Sequence, residues 1–237
     1  MDKTNVIIVS APSGSGKSTL VGRLMEKVPG LVFSISYTTR EPRGREQNGQ
    51  DYFFVTPGEF RQMLDGNGFL ESAEVFGTHY YGTARRFLDE ARASGQDLLL
   101  DIDVQGAKQV RDKLPETISV FILPPSRKEL EHRLRFRRLD PEHVIERRLK
   151  QAATEIRGYS AYDYVLINKD LGHASNCLNA IVLAARAKRN GDTSPEAAEW
   201  ERLSESCRTA VVQSEIQPIL DTFEATPRKS SEGSGGN

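Results

Sequence analysis

Residues 10–19 carry the strongest chemical signal in the chain, a run of small and hydroxyl residues that ends in Lys17, Ser18 and Thr19. An apolar run at residues 6–9 precedes it, and a helical pattern follows it. A strand, a tight glycine-bearing loop and a helix together form a phosphate-binding loop, because backbone N–H groups and the helix N-terminus attract an anion. The residues predicted to bind the phosphates are Ala11, Pro12, Ser13, Gly14, Ser15, Gly16, Lys17, Ser18 and Thr19.

Two side chains of this loop have predicted roles of their own. Lys17 would bridge the β- and γ-phosphates of a nucleoside triphosphate, and the Ser18 hydroxyl would bind Mg²⁺. Ala11 stands where the usual pattern has its first glycine, which would cost about 1–2 kcal/mol if that position needs a positive φ. The alternative is a Gly/Ser-rich turn that only links a strand to a helix, and the strand–loop–helix context favours the phosphate loop.

A second candidate is Asp101, which ends the apolar run at residues 98–100. In proteins with a phosphate loop the ligand lies over the carboxyl ends of the buried strands. A carboxylate there can hold Mg²⁺ through its water shell, so Asp101 is the predicted metal residue beside Ser18. Strand alternation would put Asp103 on the same side if the strand continues. Without the phosphate loop, an acidic residue that merely ends a strand near solvent would be the simpler interpretation.

A third candidate group is a set of arginines, Arg133, Arg137 and Arg148, in an arginine-rich pair of predicted helices. Arg133 and Arg137 are four residues apart and therefore share one helix face. Phosphoryl transfer needs cations on the oxygens that gain charge, and the planar arginine fork suits that task. Two alternatives remain. One is a solvated basic helix with ion pairs such as Glu129 and Arg133. The other is an RNA-binding patch, although Phe136 is the only aromatic residue among these arginines.

A fourth group lies between the others and mixes arginines, tyrosines, hydroxyls and one carboxylate. Its members include Arg40, Arg43, Tyr52, Glu71 and Tyr81. Arginine forks and phenol groups suit a monoester phosphate. A carboxylate such as Glu71 suits guanine, which offers N1–H and N2–H₂ side by side, whereas adenine would leave acceptors facing each other. A polar hairpin with packed aromatic rings is the alternative.

Taken together, these motifs resemble the guanylate kinase family. The residues that carry the resemblance are the runs 36–43, 69–71, 80–83 and 100–106, and it spans about residues 5–189 in matching order. It implies transfer of the γ-phosphoryl group of ATP to GMP, giving ADP and GDP, with Mg²⁺ as cofactor, in purine nucleotide metabolism and GMP recycling. It implies three groups of site residues: Arg40, Arg43, Tyr52 and Tyr81 on the GMP phosphate; Ser36, Glu71, Thr83 and Asp103 on the guanine; and Lys17, Arg133, Arg137 and Arg148 as catalytic cations on the ATP phosphates.

Two other functions stay open at the level of sequence. One is a non-catalytic guanylate-kinase-like module that binds phosphopeptides, which would not need Lys17, Ser18 or the arginines. The other is a phosphate-loop kinase of another phosphate ester, which would not need Glu71 or the run at residues 80–83. All of these residues are present, so both alternatives are disfavoured.

The elements that must position these residues alternate between strands and helices. This rhythm predicts an α/β fold, a parallel doubly wound sheet led by the phosphate loop. The predicted core comprises residues 1–35, 84–125 and 158–190, with a mixed α/β GMP-binding insertion at 36–83 and a helical lid at 126–157. Residues 191–237 form a predicted C-terminal extension, with one or two helices within 194–223 and a disordered end at 227–237. The pattern assigns no element to residues 104–117.

Composition sets the outer limits of the function. The chain has 237 residues, a hydrophobic fraction of 38% and a net charge of −1, which gives no case for nucleic acid or a membrane surface as partner. Its two cysteines, Cys177 and Cys207, are far apart in sequence and are expected to be free thiols. A strand within about five residues of the start leaves no room for a secretory signal, so a cytoplasmic location is expected. The oligomeric state stays open.

Overall fold

The computed structural model describes residues 4–75, 79–136 and 141–224. The strands are β1 (Val6–Ser10), β2 (Leu31–Ser34), β3 (Tyr37–Thr38), β4 (Phe53–Phe54), β5 (Phe69–Val75), β6 (His79–Ala84), β7 (Asp97–Asp101), β8 (Ile118–Leu123) and β9 (Tyr164–Ile167). The helices are α1 (Lys17–Lys27), α2 (Pro57–Asp65), α3 (Arg86–Ser94), α4 (Val104–Lys113), α5 (Arg127–Phe136), α6 (Glu142–Ile156), α7 (Leu171–Asn190), α8 (Pro195–Glu205) and α9 (Thr209–Glu224). A short 3₁₀ helix covers Arg157–Ala161.

The central sheet has five strands in the order β2-β7-β1-β8-β9, and all its pairings are parallel. Its inner strands are apolar on both faces because helices cover both sides. Within β1, Ile7 and Val9 belong to one hydrophobic cluster, whereas Val6 and Ile8 belong to the other. The predicted α/β fold with a parallel central sheet is confirmed, and the carboxyl ends of β1 and β7 meet at the edge that carries the phosphate loop.

A second, four-stranded sheet in the order β4-β3-β6-β5 lies within the predicted insertion. Here β6 runs antiparallel to both β3 and β5, and the register sets Glu71 opposite Thr83. Helix α2 starts with a capping box between Thr56 and Glu59 and buries Phe60 against Phe69, with ring centroids 4.5 Å apart. This small sheet therefore holds two of the guanine-directed candidates, Glu71 and Thr83, on a scaffold of its own.

The sequence pattern misses helix α4, and the strand continuation that would put Asp103 on the same side as Asp101 does not occur. Strand β7 ends at Asp101, and the Asp103 carboxylate instead caps α4 by accepting from the N–H groups of Gln105 and Gly106. The inward side of α4 consists of Gly106, Ala107 and Val110, so only one large apolar side chain marks its buried face. Asp103 still faces the candidate site, but from a helix N-terminus.

The end of the described chain folds into two helices. Helix α8 packs on α7, and α9 packs against α5, α6, β9 and the 3₁₀ helix. The predicted disorder at 227–237 concerns residues outside the described part of the chain. Across residues 4–75, 79–136 and 141–224, no helix has both the length and the apolar character needed to cross a membrane.

Candidate active site

The phosphate loop connects β1 to α1 and owes its shape to two glycines. Gly14 and Gly16 have φ values of 93° and 94°, in the left-handed region that favours glycine. A Cβ on Gly16 would lie 2.4 Å from Nδ2 of Asn168, so a larger residue there would displace the Asn168 side chain. Among the described residues Asn67 alone combines a side chain with a positive φ, so Ala11 escapes the strain that its position could have imposed.

Asn168 holds this loop in place and has no role in the sequence-based predictions. It directly follows β9 and is buried, with an exposed fraction of 4%. Its Nδ2 donates to the Ser15 carbonyl at 2.8 Å, which ties the loop to the far edge of the central sheet. A buried polar residue immediately after a parallel strand is the signal that could have identified it.

Lys17 and Asp101 form an ion pair where β1 and β7 end side by side. The side chains keep exposed fractions of 21% and 20%, so ligand atoms can reach both. Adjacent parallel strands bring these two residues together although they are far apart in sequence. The predicted phosphate-binding lysine and the predicted metal-binding carboxylate are therefore direct neighbours.

A cleft of about 830 Å³ runs from this pair to the small sheet. The predicted site residues that line it are Ala11, Pro12, Ser13, Gly14, Lys17, Ser18, Ser36, Arg43, Tyr52, Glu71, Tyr81, Asp101, Asp103 and Arg148. Six predicted residues do not line it: Ser15, Gly16, Thr19, Arg40, Thr83 and Arg133. Arg137 lies outside the described residues. One continuous space thus joins the triphosphate candidates to the guanine candidates.

Glu71 lies at the small-sheet end of the cleft and is almost fully buried, with an exposed fraction of 5%. The Thr83 hydroxyl donates to Oε1 of this carboxyl at 2.7 Å across the β5–β6 pair. The pKa of Glu71 is raised to about 7, mainly by burial and also by the nearby Asp103, while the Thr83 hydrogen bond opposes the rise. The carboxyl is thus balanced between its neutral and ionised forms near neutral pH.

Gly106 is a second residue that the sequence-based assignment left without a role. It lies in the first turn of α4, and a Cβ on it would come within 2.7 Å of Oε2 of Glu71. The space that Glu71 occupies therefore exists because residue 106 has no side chain. The signal was present in the run 100–106, but its meaning depends on a contact between β5 and α4.

Arg40 is also buried and already has partners. Its two terminal nitrogens donate to the Glu46 carboxylate at 2.8 and 3.0 Å, and its Nε donates to the Tyr81 hydroxyl at 3.1 Å. Its guanidinium lies over the ring of Tyr52, 5.0 Å from the centroid. These contacts raise the pKa of Arg40 and lower that of Glu46, the mutual hydrogen bond being the main cause of both shifts. Glu46 therefore orients the guanidinium group of Arg40, a role that the sequence did not reveal.

Helix α6 contributes a cleft-facing row in which Arg148, Gln151 and Glu155 lie three or four residues apart, on one helix face. The Gln151 amide donates to Glu155 at 2.7 Å. Burial raises the pKa of Glu155, and the negative Asp103 contributes to the rise. The sequence-based assignment included Arg148 but missed its two neighbours, although their spacing was available.

Arg133 projects from α5 onto the phosphate loop and not into the cleft lining. It donates to the carbonyl oxygens of Asn168 at 3.0 Å and Ser15 at 3.5 Å. It also pairs with Glu129, one turn earlier, as the solvated-helix interpretation expected. Both interpretations are therefore partly met: the i,i+4 pair exists, and the same arginine touches the loop.

Three comparisons with known proteins agree. A family model described as Guanylate kinase matches residues 3–185. A guanylate kinase of Koribacter versatilis is 55% identical over 223 residues, covering 92% of this chain and 95% of its own. That of Escherichia coli K12 is 47% identical over 190 residues, covering 79% of this chain and 91% of its own. The crystal structure of guanylate kinase from Anaplasma phagocytophilum superposes with a TM-score of 0.63 at 32% identity, covering 87% of this chain and 96% of that one.

Proposed function

The chain belongs to the guanylate kinase family and transfers the γ-phosphoryl group of ATP to GMP, giving ADP and GDP, and we propose how its residues divide that work. The phosphate loop binds ATP, the small sheet binds GMP, and the arginines of α5 and α6 complete the charge balance. The observation that carries this division is the single cleft that holds both Lys17 and the buried Glu71.

At the ATP end, loop N–H groups and Lys17 hold the β- and γ-phosphates. Ser18 and Asp101 would hold Mg²⁺, Asp101 through water. Their donor atoms fit that ion, since Mg²⁺ prefers hard oxygen ligands and takes only one or two from the protein besides phosphates and water. When bound, the ion neutralises charge on the β- and γ-oxygens.

At the GMP end, Arg40, Arg43, Tyr52 and Tyr81 bind the phosphate, and Ser36, Glu71, Thr83 and Asp103 bind the guanine. Ionised Glu71 accepts from guanine N1–H and N2–H₂, while Thr83 keeps the carboxylate oriented. Adenine has an acceptor at N1, so it would leave buried oxygens facing lone pairs, at about 1–3 kcal/mol for each unpaired group. The buried position of Glu71 supports strong discrimination, because water cannot relieve the mismatch.

The chemistry itself needs little from the protein beyond alignment and charge. The GMP phosphate is already an anion at neutral pH, so no strong general base is required. Lys17, Arg133, Arg137 and Arg148 would offset the repulsion between the two nucleotides and the charge that develops on transfer. Residues 36–83 and 126–157 would close over the substrates and exclude water, which would otherwise accept the phosphoryl group.

A coupled assay of ADP release tests this assignment directly. With ATP and Mg²⁺, the protein should convert GMP at least about 10³-fold more efficiently than AMP, since a site that hydrogen-bonds its substrate discriminates to that degree. Chelation of Mg²⁺ should abolish turnover with either nucleotide.

Arg148→Ala should lower kcat by about 10²-fold with little change in KM for GMP, whereas Lys150→Ala on the exposed side of α6 should not. Equal rates with GMP and AMP, or full activity without a divalent ion, would refute the proposed roles.

A further inference from the structure

Helices α8 and α9 lie beyond residue 185, where the match to the family model ends. They are nevertheless packed against the folded core. Helix α9 touches both α5 and α6, the two helices that carry Arg133 and Arg148. The position of α9 therefore bears on the arginines that the proposed mechanism uses.

One face of α9 belongs to the main core. Val212, Ile216 and Ile219 follow the spacing of one helix face and are buried in the same cluster as Ile156 and Val165. Val211 points away, with an exposed fraction of 61%. This apolar face anchors α9 to the sheet and to the end of α6, and it sets where the last turn of α9 lies.

The last turn of α9 makes different, specific contacts. The Thr222 hydroxyl accepts from the N–H of Arg127 at 3.0 Å and donates to the Ile219 carbonyl at 2.7 Å. Arg127 is the first residue of α5, so Thr222 satisfies one of the N–H groups that a helix start leaves unpaired. Ser126 satisfies another, because its hydroxyl accepts from the N–H of Glu129 at 3.1 Å. The start of α5 is thus capped by its own chain neighbour and, from a distance, by α9.

The two residues after Thr222 reach the other parts of the helix pair. Phe223 packs against the small cluster between α5 and α6, which contains Leu130 and Leu134. Oε1 of Glu224 lies 3.8 Å from Nη2 of Arg157, the residue that follows α6. The end of α9 therefore contacts the place where the chain enters α5 and the place where it leaves α6.

The connection to the site runs along α5. Arg133 lies less than two turns from the Thr222 contact, and it donates to the carbonyl of Ser15 in the phosphate loop. Leu130 and Leu134 lie against Gly14 of the same loop, where a Cβ would be 2.9 Å from Leu134 Cδ2. A change in the seating of the first turn of α5 would move both the arginine and the wall of the loop.

We propose that α9 is a positioning element of the active site, and that Thr222 is a positioning residue that sets α5 and hence Arg133 against the phosphate loop. This inference rests on the proposed role of Arg133 in balancing phosphate charge. It assigns a task in the phosphoryl transfer to a segment outside the part of the chain that the family model matches.

The test compares Thr222→Val with Thr222→Ser in the full-length protein. Valine keeps the size but leaves the Arg127 N–H without its acceptor, whereas serine keeps the hydroxyl. We expect Thr222→Val to lower kcat by about three- to tenfold, a range typical of one lost hydrogen bond, with KM for GMP unchanged. Thr222→Ser should restore kcat, and Val211→Ala, on the exposed face of α9, should match the wild type.

A double-mutant cycle with Arg133→Ala separates this inference from the function on which it rests. If Thr222 acts through Arg133, the loss caused by Thr222→Val should largely disappear in the Arg133→Ala background. An equal loss in both backgrounds, or a kcat for Thr222→Val equal to that of Val211→Ala, would overturn the role of α9. No loss from Arg133→Ala alone would instead overturn the role of the arginine.

Hydrogen exchange at the first-turn amides of α5 gives a second readout. The exchange rate should rise in Thr222→Val and not in Thr222→Ser.

Discussion

The two ends of the cleft are built in different ways. The ATP end consists mainly of main chain from one contiguous loop, and it rests on strands that are buried on both faces. The GMP end consists of side chains from separate segments, such as Glu71 on β5, Thr83 on β6 and Gly106 on α4, brought together by a small sheet. The phosphate loop depends on a few glycines and on one cation of its own, Lys17. A side-chain site depends on several long-range pairs that must all form.

The two ends nevertheless share one feature, since each principal cation already has a carboxylate partner. Lys17 pairs with Asp101, and Arg40 pairs with Glu46. These partners hold the cations in place without substrate, so a phosphate group meets a pre-oriented donor. The difference lies in exposure: Lys17 remains partly exposed, whereas Arg40 is buried with an exposed fraction of only 6%.

The largest expected effect falls at the main-chain end. Lys17→Met removes the only side-chain cation of the phosphate loop and should lower kcat by about 10³-fold, because charge on the transferred group is no longer neutralised. KM for GMP should change by less than about threefold, since GMP binds at the other end. Lys27→Met, at the exposed end of the same helix, is the matched control. A loss of GMP affinity with kcat retained would contradict the division between the two ends.

The contrast between the ends also explains what the sequence could predict. The bounds of α1, α2 and β9 are confirmed at residues 17–27, 57–65 and 164–167, because caps, proline and buried apolar runs are local signals. The phosphate loop is equally local. Helix α4 is not predicted from the sequence, and its buried side, formed by Gly106, Ala107 and Val110, contains only one large apolar residue.

At the GMP end the residue types were predictable but their partnerships were not. Thr83 was assigned to guanine, yet its visible partner is Glu71, and Glu46 received no role although it pairs with Arg40. Such pairs join residues across a sheet register or a loop, which no local period encodes. The roles of these residues toward the substrates stay predictions. Asn168 and Glu155 had local signals, but the hydrogen bond of Asn168 to the phosphate loop and the position of Glu155 in the cleft lining appear only in the folded structure.

The next largest effect tests the side-chain end. Glu71→Gln replaces one acceptor of guanine donors by an amide donor, which should reduce kcat/KM for GMP by about 10²-fold, the cost of mismatched buried polar groups. The rate with AMP should stay the same or rise, because the amide complements the N1 acceptor and the N6 donor of adenine. Glu74→Gln, on the same strand but exposed, should behave as the wild type. Discrimination against AMP that survives Glu71→Gln would move guanine recognition to other residues.

A smaller effect should follow from Gly106→Ala, which leaves all charges in place. The added Cβ would meet Oε2 of Glu71 at 2.7 Å and push the carboxyl out of position. We expect KM for GMP to rise by about tenfold while KM for ATP stays constant, a cost in line with a displaced buried hydrogen-bond partner. Gly22→Ala is the matched control, because a Cβ there has no neighbour within 4 Å. If both glycine variants behave alike, the space over Glu71 is not what limits GMP binding.

A last expected effect concerns the pH dependence of stability without substrate, where turnover is not involved. Burial raises the pKa of Glu71 from 4.5 to about 7, so between these pH values the folded protein binds more protons than the unfolded chain. The free energy of unfolding should therefore fall as pH rises through this window, by at most about 1.4 kcal/mol per pH unit from this group. Glu71→Gln should remove that contribution, and urea denaturation at pH 5, 6 and 7 measures it as a wild-type advantage that shrinks with rising pH. The raised pKa of Glu155 adds a slope of the same sign in both proteins, so only the difference between them isolates Glu71. A difference that stays constant across the window would mean that Glu71 ionises at its usual pH, and that the side-chain end of the cleft is more hydrated than its burial implies.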